Sequence, residues 1–233
     1  MNSNVDLINY LATFISDGRW AKFNKVIDDR TKHITVVLED LYQPHNASAV
    51  LRSCDCYGVQ DIHIVENKNK FSVNQDISLG SAKWLSLHKY KQGANNSLDC
   101  IHQLKSKGYK IICTTPHKDD CNLDQLEINS KTALVFGTEL TGISKDFIEN
   151  ADGFIKIPMY GFTESFNISV AVALCLQVLI TKLRALDIEW TLNKEEKEAI
   201  LLQWLRNTVK SSDLIEKDYY LNKICTFANI NKK

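Results

Sequence analysis

The stretch ITVVLEDLYQPHNASAVLRSCDCYGVQDIHIVE, residues 34–66, decides the fold. It opens on ITVVLEDL (34–41), a short β-branched run of the kind that forms a buried strand. NASAVLRSCDCYG (46–58) then switches to a helical period. Asn46 stands where a helix N-cap belongs, and Gly58 where a glycine closes the last turn. DIHIVE (61–66) returns to a strand. The alternation continues downstream. Residues 97–107 read as a helix ended by Gly108, KIICTT (110–115) as a strand stopped by Pro116, and TALVFG (132–137) as another strand. SKDFIENA (144–151) is a helix, FIKIPM (154–159) a strand, and NISVAVALCLQVLITKLRAL (167–186) a long helix that is apolar almost all round at its start. Short apolar strands alternating with helices indicate an α/β fold with a largely parallel sheet flanked by helices. The helix from Asn167 must bury much of its surface against the sheet or a partner subunit.

Outside this body the pattern changes. Residues 5–30 are helical in period, with Gly18 expected to break the stretch in two. After Asp187 the chain becomes charged and amphipathic. The expected organisation is therefore an N-terminal helical extension (1–33), the α/β domain (34–186) and a C-terminal helical extension (187–233). Formal net charge is zero across 233 residues, so any polyanion partner must be met by local clusters of basic residues. The seven cysteines are odd in number and lack framework spacing, which argues against a disulfide scaffold. Most are expected as small buried hydrophobes, and Cys54 and Cys56 should point to different sides of their helix. The N-terminus lacks a basic leader. The longest apolar run, Val170 to Ile180, is short of the ~20 residues of a membrane span. The reading is a cytoplasmic protein with no membrane partner.

Ligands of parallel sheets bind beyond the carboxyl ends of the strands. Four such ends stand out: QPHNASAVLR, TTPH, GTELTGIS and PMYGFTESFN. Each leaves an apolar strand for a glycine, proline or polar loop, and three lead to a helix start, where backbone N–H groups suit anionic or adenine-like ligands. No GxGxxG follows the first strand and no GxxxxGK[ST] occurs anywhere, so the pattern argues against dinucleotide and P-loop sites. HExxH, GxSxG and compact His/Cys/Asp clusters are missing as well, and no metal is expected. On these grounds alone the chain is an α/β enzyme with a non-Rossmann ligand site.

Three of the loops carry more. PHNASAVLRSCDCYG (44–58), LVFGTELTGIS (134–144) and IPMYGFTESFNISVAVAL (157–174) resemble, in order and separation, the three motifs of the SPOUT RNA methyltransferases, and more narrowly the SpoU/TrmH branch. With the intervening strands the resemblance covers about residues 34 to 180. Within the branch the sequence is most similar to tRNA guanosine 2′-O-methyltransferases of the D-loop (position 18). Alternatives are 2′-O-methylation of rRNA or of another tRNA position, or an RNA-binding relative that has lost catalysis. The resemblance implies a deep C-terminal trefoil knot, an exception to the rule that chains stay unknotted. It implies that the knot binds S-adenosylmethionine and forms a homodimer interface, and that tRNA is the substrate.

Each implied role has a plainer counterpart. Arg52, which the resemblance makes the catalytic arginine, could be a surface helix residue. A guanidinium hardly deprotonates, so its expected work is to hold a phosphate or the 2′-hydroxyl and stabilise alkoxide charge. Asn46 could serve only as a cap. Glu139 could be merely an acid near a helix start. Either Ser165 or Asn167 could cap the last helix. The resemblance places all of them in the site, with Ser165 and Asn167 facing Arg52 of the other subunit. It assigns Thr115, Gly137, Ile157 and Phe166 to the cofactor, followed by Met159 and Leu134. His33, His45 and His88 read as surface or capping residues, and Trp84, Trp190 and Trp204 as packing.

Overall fold

A computed structural model of the chain describes residues 3–74, 78–115, 121–138 and 141–230, with side chains as far as residue 222. Two compact units are present. The larger spans Thr31–Thr191; the smaller joins Met1–Arg30 with Leu192–Lys233.

The larger unit is built on a seven-stranded sheet. Its strands are β1 (Ile34–Glu39), β2 (Asp61–Val65), β3 (Ser86–Tyr90), β4 (Lys110–Thr114), β5 (Cys121–Asn122), β6 (Thr132–Phe136) and β7 (Gly153–Lys156). They lie in the order β3-β2-β1-β6-β4-β7-β5, and every pairing is parallel. Helices cover both faces: α3 (Pro44–Cys56) and α6 (Ile168–Ala185) on one, α4 (Asn96–Ser106) and α5 (Lys145–Asn150) on the other. The period of two is visible in the packing. Ile34, Val36 and Leu38 enter the core shared with α3 and α6, together with Leu134 and Phe136 of β6. Val37, Ala133 and Val135 enter the core under α4 and α5. A strand buried on both faces needs apolar residues at odd and even positions alike, which is why ITVVLE and TALVF read as unbroken runs.

Helix ends follow local chemistry. α3 starts two residues before the sequence suggested, because Pro44 supplies a fixed φ in the first turn and Gln43 takes the cap position. Asn46 is therefore inside the first turn and buried. Gly58 closes α3 at φ 77°. Asn167 caps α6 by accepting from the Ser169 amide. The strands β3 and β5 were not read from sequence: SLHKY is only half-buried, and two residues leave no period to see.

α6 is long and apolar enough to cross a membrane by length and composition alone, where the sequence reading had judged the run too short. In the fold its stripe Val172, Cys175, Leu176, Leu179 and Leu183 lies in the core. Val170 and Leu174 on its other side stay exposed, so the helix is less covered within one chain than its composition suggests.

In the smaller unit, α1 (Ser3–Ala12) and α2 (Asp17–Asp28) meet α7 (Lys194–Thr208), and α1 also meets α8 (Ser212–Ile230). The break between α1 and α2 falls at residues 13–16, with Ser16 as cap; Gly18 is inside α2. Phe23 packs edge-on against Trp204 at 5.5 Å. Arg206 makes a two-pronged pair with Glu216, each contact 2.7 Å.

Of the histidines expected at the surface, His33 is interior and His88 is half-buried. His33 is buried and its Nε2 lies 2.8 Å from the Ile128 carbonyl. His88, on β3, stacks on His63 of β2 at 4.7 Å and approaches Asp61 at 3.5 Å. The Nδ1–H of His63 donates to the Tyr90 hydroxyl, which in turn donates to Gln103. Burial, reinforced by His88, lowers the pKa of His63 from 6.5 to about 3 against the opposing pull of Asp61. Between those two values the unfolded chain holds a proton that the folded chain refuses, so stability is lost as pH falls through that window. Two pH units of it, from about 6.5 to 4.5, correspond to roughly 2–3 kcal/mol. Urea denaturation at pH 7 and pH 4.5 should show a loss of that order in the wild type and a smaller one in His63→Gln. Equal losses would place the acid sensitivity elsewhere.

Candidate functional site

Because all strands run parallel, β1, β4, β6 and β7 deliver their following loops to one edge of the sheet. A cavity of about 470 Å³ lies there, within the range of small-ligand sites. Phe136, Ile143, Ile155, Ile157 and Ile168 give it apolar walls, and Thr115, Glu164 and Ser165 give it polar points. Cys175 also reaches the lining, but burial raises its pKa to about 12. The thiol therefore stays protonated at neutral pH and is no nucleophile.

One side of the cavity is the loop after β6. Thr138 and Gly142 exchange two backbone hydrogen bonds, each 3.0 Å, and the Thr138 hydroxyl accepts from the Thr141 amide. This closure presses Gly142 onto Gly137. A Cβ on Gly137 would meet the Gly142 carbonyl oxygen at 2.2 Å. Gly137 lines the cavity, and its lack of a side chain answers to the loop's own packing.

The structure gathers most of the sequence-predicted residues here and separates others. Thr115, Gly137, Ile157, Met159 and Phe166 line the cavity, as does Ser165. Leu134 does not; it points into the core beneath α3 and α6, fully buried. Two residues further along β6, Phe136 reaches the lining in its place. Thr138, Gly142, Ile143 and Glu164 also line it and were missed. Their only sequence signal was membership of the two loops. Glu139 and Leu140 lie outside the described residues.

Asn46 and Asn167 come together across 121 positions of sequence. Asn167 Nδ2 donates to Asn46 Oδ1 at 3.1 Å, and Asn46 Nδ2 donates to Gln43 Oε1 at 3.2 Å. On the far side, Asn167 Oδ1 accepts from the Ser169 amide and hydroxyl. This relay fixes the rotamers of both asparagines and ties the first turn of α3 to the start of α6. Asn46 also opens onto a second cleft, about 740 Å³, which shares Thr138, Thr141, Gly142 and Ile143 with the first cavity.

Arg52 stands apart. Six residues beyond Asn46 it has turned roughly 240° around the helix axis. It is exposed and lines neither cavity. His45, Ala49, Arg52 and Cys56 instead share one solvent-facing stripe of α3. Among the described residues no group of three or more His, Cys, Asp or Glu side chains could hold a metal ion.

The SpoU rRNA Methylase family matches residues 33–177. The chain belongs to this family. It is 45% identical over 209 residues, 90% of this chain and 94% of the other, to the tRNA (guanosine(18)-2'-O)-methyltransferase of Borreliella burgdorferi. Among solved structures it is similar to the A. aeolicus TrmH/SpoU tRNA modifying enzyme (TM-score 0.74, 30% identity, 84% of this chain and 98% of that one). The SpoU methyltransferase AviRb from Streptomyces viridochromogenes, in complex with the cofactor AdoMet, shares the fold at 20% identity (TM-score 0.57, covering 69% of this chain and 62% of that one). The SpoU match takes in all three motif loops and the relay that joins the first to the third.

Gly137→Ala should force the loop off Gly142. Overpacking of this kind costs about 1–3 kcal/mol, and thermal unfolding should report it as a lowered Tm. An unchanged Tm would mean that the loop gives way without cost.

Proposed function

We propose that the chain transfers a methyl group from S-adenosylmethionine to the ribose 2′-hydroxyl of guanosine 18 in the D-loop of tRNA. The observation that carries this reading is the 45% identity over 90% of the chain to a tRNA (guanosine(18)-2'-O)-methyltransferase. The cavity suits the donor. Apolar walls accept an adenine ring, and Glu164 offers a carboxylate to a cationic ligand. Thr115, Gly137, Ile157, Met159 and Phe166 would hold it, largely through backbone groups. When bound, S-adenosylmethionine supplies an electrophilic methyl group on its sulfonium.

The chain's own residues then have to hold the acceptor and handle one proton. Arg52 clamps the target phosphate or hydroxyl and stabilises the charge that develops on the 2′-oxygen; its guanidinium cannot take the proton. Solvent or an RNA phosphate receives it. Asn46 and Asn167 position the acceptor, and Glu139 orients groups across the site. Holding donor and acceptor in line supplies much of the rate.

The separation of Arg52 from the cavity within one chain supports a dimeric site. Val170 and Leu174 of α6 are exposed and apolar. Tyr57 at the end of α3 bonds Gln177 on the same exposed side of α6, so the outer faces of the two helices are continuous. In this reading two copies pack through them, and Arg52 of one faces Ser165 and Asn167 of the other. The loop 157–167 is threaded as a trefoil knot, and the protein acts in the cytoplasm, where tRNA is available.

The test is labelled methyl transfer to unmodified tRNA, followed by nucleoside mapping. The expected product is 2′-O-methylguanosine at position 18, lost in Arg52→Ala. Label in rRNA or at another tRNA position would replace the substrate, and no transfer at saturating cofactor would sink the reading. Mixing Arg52→Ala with Asn167→Ala protomers should restore about a quarter of wild-type activity if sites form across a two-fold interface; no restoration would mean that each chain carries a whole site.

A further inference from the structure

The second cleft has features that the donor cavity does not need. Tyr42, in the turn after β1, is 74% exposed yet lines it. Gln43, which lines the cleft, ends the amide relay: its Oε1 accepts from Asn46, and the amino group of the same side chain is a donor. Lys68 and Lys145, both exposed, stand on the rim.

Two consecutive acids hold this arrangement in place. Glu39 is buried at the end of β1; its Oε2 accepts from the Ser144 amide at 2.8 Å, and its Oε1 from the Ser97 hydroxyl. That fixes the start of α5, which carries Lys145. Asp40 adopts a left-handed φ of 53°. Its Oδ1 accepts from the backbone amides of Asn67, Lys68 and Asn69 at 2.7, 2.8 and 3.2 Å. That fixes the loop carrying Lys68. Both acids face N–H or O–H donors, which screens their charge from an incoming anion. A left-handed non-glycine residue costs free energy and persists where the surroundings enforce it; here it turns the chain so that Tyr42 leaves the core and faces the cleft.

We propose that this second cleft seats the acceptor nucleotide, with Tyr42 as the stacking face for a base, Gln43 as a hydrogen-bond donor, and Lys68 and Lys145 as contacts to flanking phosphates. The proposal rests on the methyl-transfer reading and says which residues of the chain grip the substrate. An exposed aromatic ring beside amides and two exposed lysines, of which Lys145 lies 3.4 Å from Glu149 in a solvent-exposed pair that a phosphate can replace, matches single-stranded RNA, whose unstacked bases are taken up on tyrosine faces. The wall shared with the first cavity puts acceptor and donor on either side of one loop.

The experiment uses the full chain and full-length unmodified tRNA. Tyr42→Ala should raise KM for tRNA about tenfold, the scale of one lost base stack, with the dissociation constant for S-adenosylmethionine unchanged. Tyr42→Phe, which keeps the ring, should stay within about twofold of wild type. Lys68→Glu with Lys145→Glu should weaken tRNA binding and flatten its salt dependence by about two counterions. A transcript with 4-thiouridine next to the acceptor position should photo-crosslink to the peptide that carries Tyr42. Unchanged KM in Tyr42→Ala, or crosslinks only to other peptides, overturns the proposal. Because the crosslink does not depend on turnover, a wild type that binds tRNA but transfers no methyl group would sink the methyl-transfer reading while the crosslink still decides the cleft.

Discussion

The constraint on which everything else depends is the direction of the strands. Every pairing in the sheet is parallel, so the loops after β1, β4, β6 and β7 have no choice of edge. Residues far apart in sequence meet there without any affinity for one another. The bond between Asn46 and Asn167 is the local expression of this. It joins the first turn of one helix to the cap of another, and it works because both helices begin at the same edge of the same sheet. Burial on both faces makes the arrangement stiff, so the loops are held by a frame with little freedom to shift.

The sequence revealed the frame better than the ends of its parts. Strands β1 and β6 were legible because runs apolar on both faces have few other solutions, and β2 and β4 because β-branched residues recur in them between turn residues. β3 was not, since a half-covered strand such as SLHKY carries polar residues on both faces. Asn46 shows how a sound local rule can be overruled. Asparagine caps helices well, but a proline two residues earlier starts the helix sooner and moves Asn46 into the interior of the first turn. His33 went astray for a related reason: whether an imidazole is buried depends on what packs beside it, and that is a property of the fold.

The site was legible through its loops and less so residue by residue. Leu134 was placed at the cofactor on the strength of its motif, yet its side chain enters the core and Phe136 opens onto the cavity. The motif located the strand end, and the chain's own geometry chose the residue. Glu39 and Asp40 carried no motif signal. An acid at the end of a buried strand looks like an ordinary exit to solvent, and only the structure shows the backbone amides gathered around these two carboxylates.

The position of β6 has a consequence for how the molecule is made. β6 fills the gap between β1 and β4, with Ile34 beside Thr132 and Lys110 beside the same residue. A chain emerging from the ribosome has produced β1, α3, β2 and β4 well before the strand that joins them. Until residue 136 is available, one edge of β1 and one of β4 hold unsatisfied amides and carbonyls that only β6 will pair. Closing so long a loop is entropically slow, and unpaired edges are what invite pairing with the wrong chain. The nascent protein therefore passes through a vulnerable interval in which α3 and α4 can cover the faces of the unfinished sheet but not its edges; β6 ends it for β1, and β7, made later still, ends it for the outer edge of β4.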